Sequence, residues 1–296
     1  MTDNYAVIEA GGTKFNCALM DSNKNILVQQ RIATTNPEQT LQQTVDFFQQ
    51  QRQQGYQFSQ LGLACFGPLD LDADSAHFGH ITQTPKPGWL NTPIKTLLEQ
   101  QLNCQVIIDT DVNAAALAEV MWGAAQGAEV AVYITVGTGI GGGVVINGQP
   151  LHGLVHPEIG HLQIPNPHRV ECACPYHDSC VEGLAAGSAI NKIWGVPAEQ
   201  LADSHQAWQV VADAIAHLCH NLLLTLSPHK IILGGGVMAK PDLVERITRL
   251  TEQSLAGYLC SPVNFEQIIV RPGLGDISGL YGALALLQHS KSSHGL

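Results

Sequence analysis

Cations are scarce in this chain. Of its 296 residues only 14 are Lys or Arg, against 25 Asp or Glu, a formal charge of −11 with histidine neutral. Nucleic acid and anionic membrane surfaces are met by clustered cations, so this balance argues against both as partners. It leaves room for a small phosphorylated ligand, because backbone amides and a bound metal can hold one without net positive charge. Long apolar runs are also missing: no uninterrupted stretch approaches the roughly 20 residues that span a bilayer. Met1-Thr2-Asp3-Asn4 lacks the basic start of a signal peptide, so the expectation is a cytoplasmic chain with reduced thiols. Eight cysteines are too few for a disulfide scaffold at this length, yet three of them crowd into nine positions, 172–180. What is there is core material. Apolar residues at 45% and charged residues at 13% exclude disorder, and the length suits about two domains.

Apolar runs alternate with helical periodicity along the chain. Tyr5 to Glu9 reads as a strand that breaks at Ala10-Gly11-Gly12-Thr13-Lys14 and resumes as Phe15 to Met20, a hairpin that turns again at Asp21-Ser22-Asn23. Leu41, Val45, Phe47 and Phe48 place an amphipathic helix within 37–60. A strand over 61–66 ends at Gly67-Pro68, and residues 69–92, rich in turn formers, read as a long loop. A helix over 92–101 leads to a strand over 106–108, which runs into Asp109-Thr110-Asp111 and an Ala-rich helix over 113–122. The second half restarts with a strand over 130–136, glycines from Gly137 to Gly143, a strand over 144–146 and an Asn147-Gly148 turn. Each half thus opens strand, glycine turn, strand, a repeat of architecture and not of sequence. Beyond an irregular region over 149–181 come helices over 185–194 and 207–226, a strand over 230–233 and the turn Gly234-Gly235-Gly236. A helix over 241–256, a strand over 268–270 and a closing helix over 277–288 complete the chain, with 290–296 expected to fray. Strands alternating with helices give an α/β class, and the hairpins give mixed sheets.

Three glycine turns therefore follow strands: Gly11-Gly12, Gly137 to Gly143, and Gly234 to Gly236. Glycine can serve a tight hairpin alone, or it can let backbone N–H groups close on a phosphate. Three such turns, with Thr13-Lys14 in one and Thr138 in another, favour the phosphate clamp. Gly137, Gly139 and Gly142 match G-x-G-x-x-G, but they run into a strand instead of opening a helix, so a dinucleotide fold is rejected. A P-loop sequence is absent too. Asp111 stands where a strand hands over to a helix, and it admits two roles, helix cap or general base.

The crowded cysteines carry the most specific chemistry. Cys174, His177 and Cys180 form C-x-x-H-x-x-C, and His161 upstream completes four ligands of the kind a tetrahedral structural Zn²⁺ takes. Cys172 either replaces His161 or stays a bystander. The other cysteines, Cys17, Cys65, Cys104, Cys219 and Cys260, read as small core residues. Glu158 and Glu182 flank the cluster. Each is either solvated or held into a cleft, where carboxylates accept hydrogen bonds from sugar hydroxyls. Lys192 is either a solvated helix lysine or a nucleotide contact, and Trp89, Trp194 and Trp208 read as buried or interface residues.

Taken in order, Glu9-Ala-Gly-Gly-Thr-Lys14, Gly67-Pro68, Asp109-Thr-Asp-Val-Asn-Ala114, Gly137-Thr-Gly-Ile-Gly-Gly142, His156-Pro-Glu-Ile-Gly-His161 and Gly234-Gly-Gly236 resemble the ROK family of bacterial sugar kinases over about residues 5–285. Glu9, Asp109-Thr110-Asp111 and Cys174-Pro-Tyr-His177 with Cys180 look most like its fructokinases. Elsewhere in the family Asp is usual at position 9, Asn often stands at 110, and a three-Cys arrangement is commoner.

The resemblance implies an α/β, two-lobed actin-like ATPase (ribonuclease H-like) fold with mixed sheets and a zinc-stapled loop over 156–182. Residues 1–115 with about 277–296 would form the smaller lobe, and 116–276 the larger. ATP with Mg²⁺ would lie against Gly11, Gly12, Thr13, Lys14, Thr138, Gly139, Lys192, Gly234, Gly235, Gly236, Val237 and Met238. Asp111 would be the base, and Gly67, Pro68, Thr110, Asp111, Glu158, His161 and Glu182 would meet the hexose, with His161 serving zinc as well. The implied reaction is ATP-dependent phosphorylation of a hexose, most simply D-fructose to D-fructose 6-phosphate. Glucokinase, mannokinase or amino-sugar kinase activity is the nearest alternative, and a non-catalytic sugar-sensing regulator the alternative of another class. A homodimer is expected from the resemblance alone.

Overall fold

A computed structural model describes residues 4–84, 86–259 and 264–293. It divides into two units, residues 1–121 with 150–156 and 276–296, and residues 122–149 with 157–275.

The first unit opens with β1 (Tyr5–Ala10), β2 (Lys14–Met20) and β3 (Ile26–Ala33). Helix α1 (Pro37–Gln53), β4 (Gln60–Cys65), α2 (Ile94–Leu102), β5 (Gln105–Thr110) and α3 (Asp111–Trp122) follow, and α3 runs to the border of the second unit. The second unit holds β6 (Val130–Val136), β7 (Ile140–Ile146), β8 (Gln149–Pro150, at its edge), α4 (Val181–Ala185), α5 (Gly187–Trp194), α6 (Ala207–Leu226), β9 (Lys230–Gly234), α7 (Leu243–Leu255), α8 (Phe265–Ile268) and β10 (Ile269–Val270). Helix α9 (Ser278–Ser293) returns to the first unit.

The first sheet has the order β3-β2-β1-β4-β5, with β1, β4 and β5 parallel and the hairpin strands antiparallel. Alternation along the strands separates its faces. Ile8, Phe15, Leu63 and Ile108 join Phe48 and Leu98 in one core under α1 and α2. Gly62 turns the other way, where a Cβ would stand 2.0 Å from the Ala283 carbonyl oxygen, so α9 lies with its backbone on the sheet. Helix α1 starts where Asn36 accepts the N–H of Gln39 at 2.9 Å, with Pro37 in its first turn, a capping arrangement that satisfies a donor the helix itself cannot. Residues 69–92 are the expected long loop, pinned by bridges of Ile81 to Leu69 and Thr92 and by buried Trp89, whose indole N–H donates to Thr35.

The second sheet has the order β10-β9-β6-β7-β8, with β6 and β7 antiparallel and β6, β9 and β10 parallel.

Several expectations shift. Strand β3 was not foreseen: its Gln29-Gln30-Arg31 centre is polar and only Ile32 is buried, as an edge strand allows. Gly141 to Gly143 belong to β7, so the second glycine turn is only Gly137-Thr138-Gly139; Gly142 is kept bare by Ile159, which lies 2.0 Å from where its Cβ would be. Gly234 likewise ends β9, leaving Gly235-Gly236 as the turn. The helix expected over 185–194 is broken at extended Ala186 into α4 and α5. Helix α9 continues to Ser293, past the point where fraying was expected. Helix α6 is long and apolar enough to cross a membrane by length and composition, which a count of uninterrupted apolar runs passed over; more than half of that stretch is buried. Cys17, Cys65 and Cys219 are buried, Cys104 is half-buried, and Cys260 lies outside the described residues. Burial pushes the Cys17 and Cys219 thiols up to about 12, so both are inert.

Candidate active site

In the first unit the three parallel strands stop at one level. Ala10 pairs with Cys65 and Cys65 with Thr110 in register, so the turns that follow β1, β4 and β5 share one edge of the sheet. Ligands of open α/β sheets gather outside such carboxyl ends. On this edge stand Gly11 to Lys14, the cis Gly67-Pro68 pair and Asp109-Thr110-Asp111.

The two roles open to Asp111 separate here. Thr110 Oγ1 accepts the Asn113 N–H at 3.1 Å, which makes Thr110 the residue capping α3, while Asp111 is the first residue of the helix and its Oδ1 accepts the Val112 N–H at 2.9 Å. The helix start thus keeps a carboxylate at its positive end without depending on it for the cap. Asp111 also acts on its surroundings: the Cys65 thiol is pushed well up, first by burial and then by the Asp111 charge.

Asp109 is buried and fully engaged. Its Oδ1 accepts the Thr110 N–H at 2.7 Å and the Asn113 amide at 2.9 Å, and its Oδ2 lies 2.9 Å from His152 Nε2. The hydrogen bond to Asp109 is the largest cause that raises the His152 pKa above its ordinary value. His156, on the same segment, is buried and its Nε2 accepts the Leu69 N–H at 3.3 Å, tying residues 150–156 to the Gly67-Pro68 turn.

The hairpin turn from Gly11 to Lys14 has three of its four carbonyls tied back. Gly11 O accepts from the Thr34 hydroxyl at 2.7 Å, Thr13 O from the Thr34 N–H at 3.0 Å, and Lys14 O from the Gly11 N–H at 2.9 Å. The N–H groups of Gly12 and Thr13 have no partner among the described residues. Bare amides on a tied turn are what an anion requires. Beside it, Glu9 Oε2 accepts from Asn16 Nδ2 at 2.5 Å, and Asn16 in turn accepts from Arg31 at 3.3 Å. Gly279 of α9 carries no side chain where Glu9 sits: a Cβ there would stand 2.2 Å from its carboxylate.

The second unit repeats the device. At the turn after β6, Gly137 O accepts the Gly187 N–H at 2.7 Å, and Thr138 O accepts from the Ser188 hydroxyl at 2.7 Å, leaving the amides of Thr138 and Gly139 without partners among the described residues. The turn after β9 packs against it. Gly235 has φ +94°, and a Cβ on it would meet Val136 O at 2.5 Å, so only glycine fits. Val237 and Met238 turn their side chains inward and are buried. Lys192 donates to Ala173 O at 3.2 Å, which joins α5 to the cysteine-rich loop.

His161, Cys174, His177 and Cys180 come together, their four ligand atoms all within 4.8 Å of one another. Zn–S of about 2.3 Å and Zn–N of about 2.0–2.1 Å put S and N about 3.6 Å apart across a tetrahedron. Cys174 Sγ lies 3.4 Å from His177 Nδ1 and 3.9 Å from His161 Nδ1, so donor types and spacing both suit such an ion. Cys172 is not among the four; its sulfur packs on Gly183, where a Cβ would meet it at 2.3 Å. Burial, with neighbouring thiols adding to it, pushes the Cys180 thiol up to about 12. Glu182 connects cluster and turn: Oε2 accepts the Ile140 N–H at 2.8 Å, and Oε1 lies 3.7 Å from His161 Nε2. Outer partners of this kind orient a ligating histidine. Glu158 is exposed at the start of the short turn that carries His161.

The Asp109–His152 pair and the tie of Glu182 to Ile140 were not foreseen. Each joins positions more than 40 residues apart, 43 and 42 respectively, and no local pattern marks them.

The model of the ROK family matches residues 5–290. A fructokinase from Zymomonas mobilis is 46% identical over 288 residues, 95% of each chain. A fructokinase from Lactococcus lactis is 39% identical, with 92% of each chain covered. A crystal structure of a ROK hexokinase from Thermus thermophilus matches with a TM-score of 0.78 at 30% identity over 100% of both chains. The match runs through both sheets, the glycine turns and the Cys/His cluster alike, and the chain belongs to the ROK family.

Proposed function

We propose that this sugar kinase phosphorylates D-fructose to D-fructose 6-phosphate, with Mg-ATP as the donor substrate and Asp111 as general base. The reading is carried by the shared edge of the first sheet, where a turn of bare amides follows β1 and a carboxylate at a helix start follows β5, two parallel strands with β4 between them. Fructokinases at 46% and 39% identity support fructose over other hexoses.

Asp111 takes the proton of the attacking hydroxyl as it approaches the γ-phosphoryl group. A base within hydrogen-bond reach contributes about 10²–10⁴-fold. The amides of Gly12 and Thr13 with Lys14, and separately the amides of Thr138 and Gly139 with the Gly235-Gly236 turn, are assigned to donor phosphate. Preorganised donors of this kind neutralise charge as it develops. Gly67, Pro68, Thr110, Glu158, His161 and Glu182 are assigned to the sugar. His161, Cys174, His177 and Cys180 are assigned to a structural zinc ion, which when bound would cross-link the loop that carries them.

A coupled ADP assay over a panel of hexoses tests the reading, with fructose expected to give the highest kcat/KM. Asp111→Ala should lower kcat by about 10²–10⁴-fold and leave sugar and nucleotide binding in place. Near-wild-type turnover by that variant would remove Asp111 from its role, and a preference for glucose or mannose would replace fructose.

A further inference from the structure

Residues 150–156 belong to the first unit, although the chain on either side lies in the second. This strap bears two histidines four positions apart that are used in opposite ways. His156 is 6% exposed and accepts the Leu69 N–H through Nε2, which anchors the strap. His152 is pinned by Nε2 to the buried Asp109 carboxylate at 2.9 Å, yet 42% of its side chain stays exposed. Its other nitrogen, Nδ1, has no hydrogen-bond partner among the described residues.

Asp109 is 4% exposed and both its oxygens are engaged. Its oxygens are held by the Thr110 N–H and the Asn113 amide, each within two residues of Asp111, and by His152 of the strap, which is thereby pinned at the carboxyl end of β5. What the carboxylate does is orient an imidazole and fix which nitrogen faces outward. A ring held in this way presents its open nitrogen at little entropic cost on binding. A hydroxyl is the fitting partner, because it both donates and accepts and so meets Nδ1 in either protonation state of the ring.

We propose that His152 is a sugar-binding residue, Nδ1 pairing with a hydroxyl of the acceptor hexose, and that Asp109 is the residue that positions it. The assignment rests on the sugar-kinase reading and adds a specificity contact to it from the strap.

His152→Gln is the informative variant, since a glutamine amide can keep the hydrogen bond to Asp109 while leaving no ring nitrogen at the Nδ1 position. Loss of one hydrogen bond that can carry charge should raise the fructose KM about ten- to a hundred-fold, with the ATP KM within about two-fold and kcat changed less than KM. Calorimetric titration of fructose without nucleotide should show the same weakening, and the thermal midpoint should stay near wild type. If His152→Gln keeps the wild-type fructose KM and affinity, His152 only caps Asp109 and the proposal falls; it also falls if the ATP KM rises in parallel. Should His152→Gln fail to fold, Asp109→Asn keeps the shape of the pair and removes the charge that fixes which ring nitrogen faces outward, and an unchanged fructose KM in that variant overturns the proposal. A wild-type protein that binds fructose but phosphorylates no hexose would refute the kinase reading alone, and calorimetry would still decide His152. A wild-type protein that binds no hexose would refute both.

Discussion

Gly12→Ala separates what the fold requires from what a ligand requires. Gly12 has no left-handed φ, and no atom lies within 4 Å of the place its Cβ would take, so nothing in the folded chain asks for glycine there. Alanine at a compatible site removes freedom from the unfolded chain, which stabilises by about 0.4–1 kcal/mol. At about 2–4 °C per kcal/mol for a large domain, Tm should hold or rise by about 1–4 °C. The site should respond in the opposite direction. The new methyl is bonded to the Cα between the Gly12 and Thr13 amides, the two N–H groups left without partners, and it keeps an anion from closing on both. One lost hydrogen bond to a charged acceptor is worth about 1.5–3 kcal/mol, which corresponds to a rise in ATP KM of about 10- to 150-fold. The fructose KM should move little. Thermal melts and a coupled ADP assay at saturating fructose measure the two effects together. A raised Tm with an unchanged ATP KM would show that the Gly11–Lys14 turn does not hold phosphate. A Tm several degrees lower would show that the turn is not open as described.

The remaining predictions concern the scaffold, the metal and pH. Gly62→Ala should do the reverse of Gly12→Ala: its Cβ would stand 2.0 Å from Ala283 O, a backbone atom that must retreat by about 1 Å, and overpacking of this kind costs about 1–3 kcal/mol. A thermal melt should show Tm several degrees lower, and an unchanged Tm would place α9 elsewhere. Metal analysis of freshly purified protein should find about one zinc per chain, and chelation should lower Tm; no zinc, with Cys174 and Cys180 open to a thiol reagent, would dismiss the ion. Asp109 raises the His152 pKa in the folded chain, so the pair's stabilisation is complete below the ordinary histidine value of about 6.5 and is lost as pH rises through the raised folded value. The difference in Tm between wild type and Asp109→Asn, followed from pH 6 upward, should therefore shrink, and a difference that grows with pH would contradict the assignment.

Much of this was legible because it is local. Strand β6 and helix α6 keep the bounds that their apolar periodicity marks, and the cluster of Cys174, His177 and Cys180 announces itself by residue type and by spacing within a single loop. Illegible elements share a different trait. Strand β3 is an edge whose polar centre needs no burial, so its pattern resembles a loop. Gly141 to Gly143 read as a turn because strand glycines carry no β signal, and their reason, Ile159 lying against Gly142, is 17 positions away. Asp109 stood in plain view within a recognised motif, but its partner is one of 13 histidines, and only the path of residues 150–156 brings the two together.

The repeat of strand, glycine turn, strand in the two halves also gains a physical meaning from this long-range layer. In the first turn the Gly11, Thr13 and Lys14 carbonyls are occupied, in the second those of Gly137, Thr138 and Gly139, and in each two successive amides have no partner among the described residues, a polarity that suits an anion more than the glycines alone do. The donors that occupy them are unrelated. Thr34, at the end of the edge strand β3, ties back the first turn, whereas Gly187 and Ser188 at the start of α5 tie back the second. Alignment of the two halves could not reveal the shared device, because selection for bare amides acts on the turn while the residues that create them come from whichever element lies beneath it. It follows that Thr34 and Ser188 should matter to ATP affinity without touching ATP. Thr34→Val, which keeps shape and loses the hydroxyl donor to Gly11 O, should raise the ATP KM and leave the fructose KM unchanged; equal ATP KM values for variant and wild type would show that the turn keeps its amides outward unaided.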